Sequence, residues 1–213
     1  MKKLILKNIE TNILTHKRIL EDDRLINWIE IISTTIVEAL KHKHKVFFAG
    51  NGGSFSDSFH IAAEFVGKFL VDRESMPAIA LGGNNSIVTA IGNDYSFEDI
   101  FSRELMALGM KGDVFVPIST SGNSRNILKA IKAAKSLGIE TFGLTGGTGG
   151  AMISLCPCFC VPSKTTPRIQ EAHIMIGHII CEIVETKKFN GDINLSQVSI
   201  DRPAFSALTP ELS

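Results

Sequence analysis

Apolar positions along this chain change period repeatedly, and the changes mark its elements. Residues 1 to about 42 recur at helical spacing and predict two amphipathic helices, the second anchored by Ile26, Trp28, Ile29, Ile32 and Ile36. "KVFFAG" is a continuous apolar run that reads as a strand, followed by a Gly/Ser turn and a helix through about Phe69. "PAIAL" predicts the next strand, with helical material from about Asn85 to Leu108 behind it. "DVFVPI" is apolar on both faces, as a buried parallel strand should be. In the helix predicted over 124–137, Ile127, Leu128, Ile131, Ala134 and Leu137 make the buried face and Lys129, Lys132 and Lys135 the solvated one. "ETFGLT", a Gly-rich loop at 146–150, "CFCVP" and a helix from about Arg168 to Thr186 complete the pattern. This alternation predicts an α/β three-layer sandwich: a five-stranded parallel sheet with helices on both faces. Ligands of such folds bind outside the carboxyl ends of the strands. Residues 187–213 lose periodicity and contain Pro203 and Pro210. The expected division is one domain over 1–187, including the amino-terminal helices, and an extended tail over 188–213.

Bulk properties narrow the partners. The 213 residues suit one domain, and 22 basic against 22 acidic residues leave no net charge to attract nucleic acid or a membrane surface. Leu4, Ile5 and Leu6 are interrupted by Lys7, too short a run for a signal peptide, and no later stretch spans a membrane. A cytoplasmic location is the expectation. Cys156, Cys158 and Cys160 alternate in "LCPCFCV", which would place all three on one face of a strand. A soft-metal site is conceivable there. Without a Cys-x-x-Cys pair, small buried hydrophobes are the preferred reading, and Cys181 reads as core filling in the last helix.

The turn after "DVFVPI" holds Ser119, Thr120, Ser121, Gly122, Asn123 and Ser124, more small hydroxyls than a turn or a helix cap needs. It lies where a strand ends and a helix begins, so free N–H groups and the helix dipole converge on it. A phosphate cradle follows, and since no Gly-Lys-Ser/Thr is present it is not the loop of a nucleoside triphosphate site. Gly50, Asn51, Gly52, Gly53 and Ser54 repeat this logic after the first strand, which favours a sugar phosphate. Asn51 would then hold a sugar hydroxyl or simply serve the turn. Asn93 and Asp94 close another turn, with the same two readings.

Acid–base chemistry sits on helices. His60 and Glu64 are four apart, as are Gln170, Ile174 and His178, so each set shares a helical face. A carboxylate and an imidazole facing one site can move a proton between adjacent carbons. His60, Glu64, Gln170 and His178 would equally supply N and O ligands to a divalent ion. Spacing also leaves open the plainer alternative of buried histidines bonded to carbonyls. His173 points to a different face and reads as structural.

"GNGGS", "DSFHIAAEFVGK", "IGNDYSFEDIFSRE", "GDVFVPISTSGNS", "LTGGTGG" and "RIQEAHIMIGH" occur together and in order. In these motifs, to about residue 186, the chain resembles the phosphoheptose isomerases of the sugar-isomerase (SIS) domain family. The resemblance implies a flavodoxin-like SIS fold. It also implies aldose–ketose isomerisation of sedoheptulose 7-phosphate to D-glycero-D-manno-heptose 7-phosphate through an enediol, towards nucleotide-activated heptose for surface polysaccharide. It implies a homotetramer with active sites at subunit interfaces and one zinc per subunit. Residue by residue, Ser119, Thr120, Ser121 and Ser124 match phosphate positions, with Ser54 beside them. Asn51, Gly52, Gly53, Asn93 and Asp94 match substrate contacts, and Glu64 and Gln170 are counted with them. Glu64 and His178 match the catalytic pair, and His60, Glu64, Gln170 and His178 the zinc set. Lys68 stands where the family commonly has arginine, and Pro167 where it has other residues. The rival reading is a non-catalytic SIS tetramer that binds a replication initiator. That branch lacks the carboxylate and the second histidine which this chain keeps.

Overall fold

The structure, a computed structural model, describes residues 1–190. Two long helices open the chain, α1 (Lys2–Leu20) and α2 (Asp23–Lys41), and the Asp22 carboxylate caps α2 by accepting from the Arg24 N–H. Strand β1 (Val46–Gly50) leads into α3 (Gly53–Val66), and β2 (Ala78–Ala80) into α4 (Asn85–Asp94), a 3-10 turn and α5 (Ile100–Leu108). Strand β3 (Val114–Ser119) feeds α6 (Arg125–Leu137). Then come β4 (Glu140–Thr141), β5 (Gly143–Gly146), a 3-10 turn over Gly150–Ser154, β6 (Cys158–Val161) and α7 (Thr166–Glu185).

All pairings are parallel, in the order β2-β1-β3-β5-β6, with β4 also beside β3. The sheet therefore has six strands where the sequence predicts five. "ETFGLT" is cut at Phe142, although both halves keep one register against β3. The Phe142 N–H still donates to the Phe115 carbonyl, but Pro117 has no N–H to return, and the ladder lapses there. Strand β1 alternates between the two sides: Phe48 joins Ile36, Phe65, Ile176 and Ile180 in one core, and Phe47 joins Phe101, Leu105, Phe115 and Ile131 in the other.

Element boundaries also differ from the sequence reading. Helix α3 stops at Val66 instead of near Phe69, where Gly67 takes the C-cap. Helix α7 begins two residues earlier than expected, with Pro167 in its first turn. Cys156 lies ahead of β6, so the three alternating cysteines do not share one strand. The chain does not leave its helix at 187: a π turn runs over Thr186–Asn190, and Phe189 packs on the core under the Arg73 guanidinium. The rest of the expected tail, 191–213, lies outside the described residues. Cys181 is fully buried in the core.

Candidate active site

The strand order reverses between β1 and β3, and that is where such a sheet opens a crevice at its carboxyl edge. Gly50 pairs with Ile118, which sets the two polar turns side by side. Asn51 and Asn126, at the start of α6, exchange amide hydrogen bonds of 2.9 and 2.8 Å across the gap. Ser119 is buried, its Oγ 3.0 Å from Ser124 Oγ; Thr120 is half-buried and Ser121 exposed. Ser124 is the N-cap residue of α6, yet its hydroxyl caps no backbone N–H; among the first amides of the helix, that of Ile127 donates to Asn126 Oδ1 at 2.9 Å. Gly122 has φ +65, and a Cβ on it would run into the Gly149 carbonyl, so only glycine fits this turn. Ser54 is buried in the first turn of α3, and Gly52 and Gly53 are exposed beside it.

Helices α3 and α7 run side by side in the same direction. Glycine makes the approach possible: Ile61 sits on bare backbone at Gly177, and the Gln170 amide sits on Gly53. This brings His60 and Glu64 of α3 against His178 of α7. His60 Nε2 is 3.3 Å from Glu64 Oε1 and 3.4 Å from His178 Nε2. Phe69 stacks on the His178 ring at 5.5 Å and fixes its plane. One donor atom from each of His60, Glu64 and His178 falls within 4.8 Å of the others. Two ligands about 2.1 Å from a tetrahedral zinc stand about 3.4 Å apart, the separation His60 keeps from both Glu64 and His178, and two imidazoles with a carboxylate are ligand types that ion takes. Gln170, in contrast, precedes His178 by eight residues, about 12 Å along the helix. Its amide lies at the cradle end of α3. Asn93 and Asp94 are exposed at the end of α4 and bond each other at 2.8 Å.

A SIS domain pattern matches residues 14–146, more than half the chain. The phosphoheptose isomerase of Aneurinibacillus thermoaerophilus is 52% identical over 190 residues, 89% of this chain and 96% of that protein. The chain belongs to the SIS domain family, on its phosphoheptose isomerase branch. The phosphoheptose isomerase of Clostridium acetobutylicum is 50% identical over 91% of this chain and all of its own length. A solved phosphoheptose isomerase from Francisella tularensis superposes with a TM-score of 0.84 at 34% identity, covering 87% of this chain and 98% of that one.

On this SIS scaffold the structure adds three residues that sequence reasoning missed. Asp57 lies one turn before His60, half-buried, with Oδ2 lacking any partner; burial lifts its pKa to about 6, against a small opposing pull from His60. Its spacing to His60 and Glu64 (three and seven) was the available signal. Asn126 gave no sequence signal, since its role depends on which turns adjoin. Arg73 clamps the end of α3, donating to the carbonyls of Glu64, Phe65 and Gly67. It therefore fixes the backbone that carries Glu64. His173 is fully buried with Nε2 3.1 Å from the Thr145 carbonyl, a structural role.

Proposed function

We propose that this chain is an aldose–ketose isomerase acting on sedoheptulose 7-phosphate, the phosphate held at the Ser119–Ser124 turn and the carbonyl end at His60, Glu64 and His178. The observation that carries the reading is the spacing of these two places along α3. From Gly53, at the cradle, to His60 the helix rises about 10 Å. The eight bonds from C1 to the phosphorus of an extended heptose 7-phosphate span about 9–10 Å. A heptose phosphate can bridge that distance and a triose phosphate cannot. His60 faces outward from α3, which supports a site completed by a second copy of the chain in a homotetramer.

Glu64 takes a proton from C1 of the ketose, leaving the enediol, and returns it to C2. His178 carries the hydroxyl proton from O1 to O2, so the product is the aldose with nothing gained or lost. The phosphate is several bonds from the reacting carbons and supplies positioning. Asn51 and Gln170, both at the cradle end of α3, would meet the sugar hydroxyls nearest the phosphate. His60, Glu64 and His178 are the residues that would hold zinc, which when bound would polarise the sugar carbonyl. Metal and proton compete for the same carboxylate, because a coordinated Glu64 is the weaker base. The non-catalytic initiator-binding alternative is not favoured, since relatives at about half identity are isomerases.

Incubation with sedoheptulose 7-phosphate, followed by NMR, should show the aldose forming and solvent deuterium entering at C2. Glu64→Gln keeps the shape but cannot accept the proton; turnover should fall by about 10²–10⁴-fold with binding held within about tenfold. Aldose formation absent under every metal condition would overturn the assignment. Elemental analysis should find near-stoichiometric zinc that is lost in His60→Ala.

A further inference from the structure

The proposed catalysis leaves the cysteine cluster unused. Cys156 lies just outside β6, and the intervening Pro157 carbonyl accepts from the Gly143 N–H at 2.8 Å. That turn brings Cys156 Sγ and Cys158 Sγ, two residues apart, to 3.8 Å. The separation is far beyond a disulfide's roughly 2.05 Å. It is close to the spacing of two thiolates on one metal, since bonds of about 2.3 Å at angles between tetrahedral and trigonal span about 3.8–4.0 Å.

A third sulfur side chain closes on the same point. A Cβ placed on Gly143 would lie 2.8 Å from Cys158 Sγ, 3.3 Å from Cys156 Sγ and 2.6 Å from the Met152 methyl. The three sulfur-bearing side chains thus close onto the bare backbone of Gly143, the two thiols by their sulfurs and Met152 by its terminal methyl. Met152 and Cys156 are buried, and the three atoms nearest to a Cβ on Gly143 are the two thiol sulfurs and the Met152 methyl. Hard ions find no donors in such a place, and zinc would lack its usual four ligands. Thiolate with thioether selects a soft monovalent ion of low coordination number. A cavity of about 390 Å³, lined by Asp22, Arg24, Trp28, Cys158, Cys160 and Pro162, reaches Cys158 from outside. Cys160 stands at its wall, against Gly149.

We propose that Cys156 and Cys158, completed by the thioether of Met152, form a binding site for Cu(I). Binding exchanges two thiol protons for one cation, leaving a buried site of single negative charge.

The test uses the full chain, fully reduced and anaerobic, titrated with Cu(I) against a chromophoric Cu(I) chelator. One Cu(I) per chain should be withheld from the chelator, with two protons released. Cys156→Ser and Cys158→Ser should each lower retention by at least about 100-fold, beyond the 10–100-fold typical of losing a supporting contact. Met152→Leu keeps the volume and should weaken retention by about tenfold. Cys181→Ser and His60→Ala should leave it unchanged, which separates this site from the histidine triad. X-ray absorption on the unaltered protein should show a first shell of sulfur only, and it decides the question even where a cysteine variant fails to fold. Complete loss of Cu(I) to the chelator, a nitrogen or oxygen shell, or retention unchanged in both cysteine variants would overturn the site.

Discussion

His173 is fully buried on α7, and burial holds its pKa down to about 4 despite the bond to the Thr145 carbonyl. The unfolded chain takes up this proton near the ordinary histidine value and the folded chain does not. The stability this confers is therefore present above about pH 6.5 and is lost as pH falls towards 4, by up to about 3 kcal/mol. Asp57 runs the other way. With a folded pKa near 6, its neutral form is favoured in the folded state, and that contribution is lost as pH rises from about 4 through 6. Asp57 is half exposed, so its effect is the smaller and His173 sets the net slope. Urea midpoints between pH 4 and 7 should rise with pH in the unaltered protein. Asp57→Asn should steepen that rise, and His173→Gln, which keeps a donor for Thr145, should flatten or reverse it. Parallel curves for all three proteins would dismiss both assignments.

Among the elements, the join between α3 and α7 carries the most structure that the sequence concealed. Glu185, at the end of α7, accepts from the backbone N–H groups of Phe69, Leu70 and Val71 and from Arg73 Nε at 2.8 Å. Both side chains of this ion pair are almost wholly buried. Burial alone would raise the Glu185 pKa, but these donors outweigh it and hold the carboxyl below its ordinary value. Glu185→Gln leaves the Arg73 charge buried without its partner, and chemical denaturation should show a loss of about 3–5 kcal/mol. At the other end of α3, Ser121→Ala with Ser124→Ala should raise the KM for the sugar phosphate far more than it lowers kcat, because phosphate contacts position the substrate. The strand–turn–helix units around both polar turns were legible because apolar period and turn chemistry are local signals. So were the shared faces of His60 with Glu64 and of Gln170 with His178. Which helices touch was not legible. A face four residues in step says nothing about its partner, and the meeting of His60 with His178 depends on Gly53 and Gly177 letting two helices close up. The loop at 67–77 has no period at all, so Arg73 and its clamp on Glu64's backbone stayed invisible. The break at Phe142 was hidden for a different reason: it arises from Pro117 on the facing strand.

At the scale of the whole molecule, the described residues leave a run of large apolar side chains open on α1. Leu4, Ile5, Leu6, Ile9, Ile13 and Leu14 on α1 are all exposed, and with a neutral overall charge little repulsion keeps copies apart. A groove of about 580 Å³ continues this surface between α1, α2 and α7, lined by Ile13, Leu20, Ile26, Met175 and Ile179. Contiguous apolar surface on that scale marks an association face, and a stable one covers about 800 Å² on each partner. Because α7 contributes both to this groove and to the His60–Glu64–His178 triad, docking a second copy there would stiffen the helix that carries His178. The homotetramer proposed above should give about four times the 23.2 kDa chain mass in light scattering. Ile9→Glu with Ile13→Glu places charge on the exposed face without touching the core. It should lower the assembly state and lower turnover in step, while circular dichroism stays native. Dilution of the unaltered protein should reproduce the same coupled loss, with specific activity falling as any assembly dissociates. A monomeric Ile9→Glu, Ile13→Glu variant that kept full activity would show that each chain carries a complete site alone.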